Sequence, residues 1–144
     1  MLVEEIMSPD PVYCGPDTDL REVARMMVKF DCGEIPVCDE LGRPIGVVTD
    51  RDIVCRMVAQ GTNPIGTPAS RCMSRPVITA RPDMTVDQAA ELMEQHQVRR
   101  LPVVDDDGLC CGMLAQADLA TKGPAEHVIE VMEAVSEPAL ALGA

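Results

Sequence analysis

The chain has 144 residues, of which 47% are apolar and 25% charged, and a formal net charge of −12. That is ample apolar material for one compact domain or two small halves sharing a core, and it argues against disorder. The acidic balance repels a phosphate backbone, and one Tyr, one Phe and no Trp leave no aromatic platform for stacked bases, so nucleic acid is not the expected partner.

The first six residues, Met-Leu-Val-Glu-Glu-Ile, carry acid where a secretory signal needs base. No run approaches the roughly 20 apolar residues of a spanning helix, so no membrane association and a cytoplasmic location are expected. After a lead-in at Met7 and Ser8, residues 12–14 read as a short strand, and the turn at Pro16 and Asp17 opens a helix. Asp19 and Glu22 have capping-box spacing, and Leu20, Val23, Ala24, Met27 and Val28 recur at helical intervals. An apolar strand follows at residues 35–38, then an acidic hairpin loop with Gly42, a second strand at 45–48, and a helix beginning near Asp52.

The same order then returns. Sliding the chain by 66 positions aligns residues 16–53 with 82–119, and ten of these 38 pairs are identical, including Pro36 with Pro102, Gly46 with Gly112 and Asp52 with Asp118. Met73 and Ser74 repeat the lead-in, residues 77–79 the first strand, Thr85 and Gln88 the capping pair, and Val86, Ala89, Ala90 and Met93 the helical stripe. The expected organisation is β-α-β-β-α twice: residues 1–60, a polar linker at 61–70, residues 71–122, and a C-terminal helix and tail at 123–144 whose helix covers 125–136. A unit of roughly 55 residues buries too little surface alone. Two α/β (α+β) copies related by a pseudo-twofold axis and joined through their sheets would cover each other, bringing equivalent loops beside one cleft.

The segment from Gly46 to Asp52, Gly-Val-Val-Thr-Asp-Arg-Asp, places the Thr49 hydroxyl and the Asp52 carboxylate together at a strand-helix junction. The carboxylate can accept from two ribose hydroxyls, and it can equally cap the helix and complement its dipole. Both roles stay open on spacing alone. Arg99 and Arg100 are adjacent guanidinium groups suited to phosphate oxygens, with surface ion pairing as the alternative.

The Gly46 to Asp52 segment resembles the adenosine-binding signature of cystathionine β-synthase (CBS) domains, which runs Gly, two apolar residues, Thr or Ser, two variable residues and Asp. The resemblance extends over nearly the whole chain, including both Met-Ser lead-ins and both Pro-centred strands. It implies that the base inserts among Cys14, Gly15, Gly33, Glu34, Ile35 and Pro36. The sugar would be held by Thr49 and Asp52, and the phosphates by Arg99 and Arg100, with Arg51 as a third positive charge. AMP, ATP or a related adenosyl compound is the implied ligand, and no cofactor is required. In the second copy Ala115 replaces the hydroxyl, and Gly33 and Glu34 stand where the first site would have arginines. A second site on Asp118, Thr79, Val98 and Pro102 should therefore be weaker, empty, or selective for an uncharged adenosyl ligand.

The chain resembles the small stand-alone CBS-pair proteins. The run from His96 to Arg100 and the added C-terminal helix are most similar to stress-associated members. Such proteins associate as homodimers, and an effector protein in trans would receive the signal. The expected function is a non-enzymatic regulatory module, with a ligand-free dimerisation scaffold or a cysteine-based redox sensor as alternatives. For the last, Cys14 and Cys38 end two strands of one copy and are the candidate disulfide. Seven cysteines without a Cys-x-x-Cys, and only His96 and His127 to join them, make a metal site unexpected. Asp105, Asp106 and Asp107 read as a solvated hairpin tip, and no catalytic triad is discernible.

Overall fold

A computed structural model describes residues 1–122. In chain order it contains α1 (Val3–Ile6), α2 (Leu20–Phe30), β1 (Glu34–Cys38), β2 (Pro44–Thr49) and α3 (Asp50–Asp52), which runs on as a π-helix over Ile53–Val58. A 3₁₀ turn at Ala69–Arg71 leads to α4 (Val86–His96), β3 (Arg100–Val104), β4 (Cys110–Ala115) and α5 (Gln116–Lys122). The fold class is α+β, with each copy contributing a helix, a β-hairpin and a second helix. The expected C-terminal helix and His127 lie outside the described residues.

The chain forms two compact units that do not follow the cut between the sequence copies. The first-copy unit contains residues 12–77 and 108–110; the second-copy unit contains, among the described residues, 1–11, 78–107 and 111–122. The two Met-Ser lead-ins are exchanged, and backbone pairing explains it. Ser74 and Val47 trade hydrogen bonds of 2.8 and 3.1 Å, while Ser8 and Met113 trade bonds of 2.9 and 3.0 Å. Each lead-in thereby satisfies the outer edge of a hairpin strand, which would otherwise present unpaired groups.

In the first-copy unit, β1 and β2 pair antiparallel, with Glu34 opposite Thr49 and Val37 opposite Gly46. The expected strand at 12–14 is reduced to a single parallel bridge, Cys14 to Val37, and the one expected at 77–79 is absent, the equivalent bridge falling one residue later, Ala80 to Val103. Prolines set that limit. Cys14 donates to Pro36 O at 3.0 Å and accepts from Cys38 N at 2.8 Å; extending the ladder in either direction would need an N–H from Pro16 or Pro36. Pro82 and Pro102 impose the same limit on Ala80, which donates to Pro102 O and accepts from Val104 N, both at 2.9 Å.

One core gathers Leu20, Val23, Ile35, Val37 and Val48, and the other Val86, Ala89, Met93, Leu101 and Leu114. Val28, placed on the apolar stripe by spacing, is instead 84% exposed. It lies five residues beyond Val23, about 140° around the helix. The Thr85 and Gln88 capping box forms, with reciprocal bonds of 3.0 and 3.2 Å. Asp19 caps α2 without help from Glu22, accepting from Arg21 N at 2.8 Å and from Gly66 N at 2.7 Å.

Candidate functional site

The β2–α3 junction of the first-copy unit carries the motif. Thr49 Oγ1 accepts from Asp52 N and Asp52 Oδ2 accepts from Thr49 N, both at 3.0 Å, which completes a capping box. Asp52 therefore caps the helix, one of the two roles its spacing permits. Its carboxylate is 15% exposed, and its other oxygen lies 3.8 Å from Arg56 Nε. A carboxylate has about four acceptor positions, so capacity remains for ligand hydroxyls.

Around this junction the structure brings together most of the first-copy residues that the resemblance implies. Glu34 pairs with Thr49 across the hairpin, Asp50 N donates to Gly33 O at 3.0 Å, and Cys14 N is bonded to Pro36. Ile35 and Pro36 are buried, Gly33 and Glu34 half-buried, and Arg51 exposed. A Cβ on Gly33 would come within 3.0 Å of the Asp50 carboxylate, so this corner is closely packed. The helix leaves the site as a π-helix, a geometry frequent at functional sites.

The second-copy unit holds the equivalent residues. Ala115 N donates to Asp118 Oδ2 at 2.7 Å, but Ala115 has no hydroxyl to return the bond. Arg99, exposed, accepts at its carbonyl from Gln116 N at 2.8 Å, and Arg100, half-buried, opens β3. Val98 and Thr79 are half-buried and Pro102 is buried. An open groove of about 520 Å³ on this unit is lined by α4 residues and the turn before it, among them Arg81, Met84, Gln88 and Leu92, and by none of the candidate ligand residues.

Sequence reasoning missed two cations. Arg56 approaches Asp52 and donates from Nη1 to the carbonyls of Cys72 at 3.0 Å and Met73 at 3.2 Å. Lys122, 66 residues later, lies 3.9 Å from Asp118 and donates to Ile6 O at 3.4 Å. Each ties the motif aspartate to the exchanged lead-in of its unit. The signal was an acid followed four residues later by a base, in both copies.

The motif glycines also have a packing role. A Cβ on Gly46 would meet Met73 Sδ at 2.6 Å, and one on Gly112 would meet Met7 Sδ at 2.7 Å and Ser8 O at 2.9 Å. None of the seven cysteines is in a disulfide. Burial pushes the Cys14 thiol up to about 11, and raises Cys72 as well. Among the described residues, no group of three or more His, Cys, Asp or Glu could hold a metal ion, and no helix is long and apolar enough to cross a membrane.

Comparison with known proteins places this geometry. Residues 3–59 and 69–125 each match the CBS domain family. Similar proteins include uncharacterized protein MK0525 of Methanopyrus kandleri, 37% identical over 85% of this chain but only 62% of that protein, so the chain spans less than two thirds of its length. CBS domain-containing protein YhcV of Bacillus subtilis is 39% identical over 82% of both chains. Hypoxic response protein 1 of Mycobacterium tuberculosis is 29% identical over 93% of both. A crystal structure of Hypoxic Response Protein I with two coordinated zinc ions superposes with a TM-score of 0.79 at 29% identity, covering 86% of this chain and 100% of that one. The CBS domain pair of protein MJ0100, in complex with 5′-methylthioadenosine and S-adenosyl-L-methionine, superposes with a TM-score of 0.75 at 30% identity, covering 83% of this chain and 93% of that one.

Proposed function

Because the chain belongs to the CBS domain family, we propose that it is a regulatory module, not an enzyme, that binds an adenine nucleotide or another adenosyl ligand. The observation that carries this reading is the Thr49 and Asp52 box at the end of β2, with Gly33, Glu34, Ile35, Pro36 and Cys14 gathered beside it. The ribose hydroxyls donate to the Asp52 carboxylate, the base lies against the aliphatic residues, and Arg51 neutralises phosphate when the ligand carries it. The adenosyl compounds bound by the MJ0100 pair support that chemistry. Signalling requires the ligand to favour one of two conformations, and the response passes from a homodimer to an effector protein in trans.

Calorimetric titration with AMP, ATP, S-adenosylmethionine and adenosine tests the proposal. Arg51→Ala should weaken the charged nucleotides at least about tenfold and leave adenosine unaffected, since a charge-assisted contact is worth about 1.5–3 kcal/mol. Folded wild-type protein that takes none of the four ligands would leave the scaffold reading.

A further inference from the structure

The 66-residue offset that aligns the two copies also aligns two rows of opposite charge. On α2, Arg21, Arg25 and Lys29 stand four residues apart, and all three are exposed. The same positions of α4 hold Asp87, Glu91 and Gln95, also exposed. Residues four apart on a helix are neighbours, so each helix carries like charges side by side, which weakens it. Arg21 moreover stands in the first turn of α2, where the helix dipole disfavours a cation. Helix stability therefore does not account for the rows. Contacts within the chain offset little of the crowding on α2: Arg25 lies 3.7 Å from Glu22 with both side chains more than half exposed, and Lys29 Nζ lies 5.3 Å from the centre of the Phe30 ring. Apolar surface adjoins both rows. Val28, three residues beyond Arg25 and so on the same side of α2, is almost wholly exposed. On α4 the open groove of about 520 Å³ combines Met84 and Leu92 with Gln88, Glu91 and Gln95 in its lining, and the Arg81 that also lines it is paired with Asp83 and Asp106.

We propose that α2 of one chain docks along the α4 groove of a second copy of this chain, with the cation row facing the acid row and Val28 entering the groove. With the rows in register, Arg25 meets Glu91 whichever way the two helices run. The same charges disfavour the other pairings. Setting α2 against α2 would bring Arg21, Arg25 and Lys29 against their own kind, and α4 against α4 would oppose Asp87 and Glu91 to theirs. Two chains of net charge −12 repel one another, so a contact that matches opposite charges selects which faces meet. The inference rests on the homodimer proposed above and fixes its contact surfaces. It needs no ligand, so a failure of adenosyl binding leaves it standing.

The test is analytical ultracentrifugation of the full-length, ligand-free chain over a concentration series at one ionic strength. Wild type should dimerise. Arg25→Glu and Glu91→Arg should each weaken the dimer at least about tenfold, because each sets like charges against one another across the contact. Combining Arg25→Glu and Glu91→Arg in one chain should restore it, and Val28→Asp should weaken it as well. Contact between like helices gives a different pattern: the single reversals would exchange one repulsive pair for another, leaving the affinity unchanged. Dimeric wild type that ignores both single reversals, or single losses that the combined variant does not restore, would overturn the contact. Monomeric wild type would overturn the homodimer with it. Arg25, Val28 and Glu91 are all exposed, so the variants are expected to fold, and their circular dichroism spectra check that.

Discussion

The two copies share a scaffold and differ in chemistry. In both, a glycine of the second hairpin strand receives the methionine of the exchanged lead-in, an aspartate caps the following helix, and a cation four residues on ties that aspartate to the lead-in. The first copy adds the Thr49 hydroxyl, a π-helix and a guanidinium that serves two carbonyls. The second has Ala115, an α-helix and a lysine serving one. Both copies keep the glycine, aspartate and cation that pack and cap this junction, and only the first keeps the hydroxyl that returns the cap bond, which is why the proposed ligand site is placed in the first copy.

The glycines test the shared scaffold most severely. Gly112→Ala should destabilise by about 3 kcal/mol, the upper end for overpacking, because the added methyl meets the Ser8 carbonyl as well as Met7. Gly46→Ala should cost about 1 kcal/mol, since it meets only the flexible Met73 side chain. Urea unfolding midpoints measure both, and equal losses would break the distinction. Alkaline pH should separate the units next. Cys14, Cys38 and Cys72 of the first-copy unit are raised by burial or hydrogen bonding. A raised folded-state value stabilises fully below the ordinary thiol value of 9.0, and the contribution is lost as pH rises toward about 11. Hydrogen exchange at rising pH should show first-copy amides losing protection before second-copy amides, with a loss on the order of 2 kcal/mol from Cys14. Smallest is the cap. Thr49→Ala should cost about 1 kcal/mol and Ala115→Thr should gain a similar or smaller amount, read as thermal midpoints moving in opposite directions.

Much of this was legible in the sequence, because the 66-residue offset exposed the duplication and the motif spacing placed Thr49 beside Asp52. The prolines that shorten the lead strands were visible too, but their consequence depended on which side of β1 the Pro36 nitrogen faces. The exchange of lead-ins could not be read, since Ser8 and Ser74 have nothing local that chooses between two nearly identical hairpin edges. Arg56 and Lys122 stand at helix-surface spacing, and the carbonyls they bond lie 16 and 116 residues away in sequence. Cys14 and Cys38 were expected to lie at neighbouring strand ends, and there the backbone joins them, Cys38 N donating to Cys14 O at 2.8 Å.

Paired calorimetric titrations of adenosine into Asp52→Ala and Asp118→Ala, beside wild type, bear most directly on the asymmetry between the copies. Saturable binding by wild type and Asp118→Ala, weakened at least about tenfold in Asp52→Ala, is the predicted result. Equal losses in the two variants, or loss in Asp118→Ala alone, would contradict the assignment of the ligand site to the first copy.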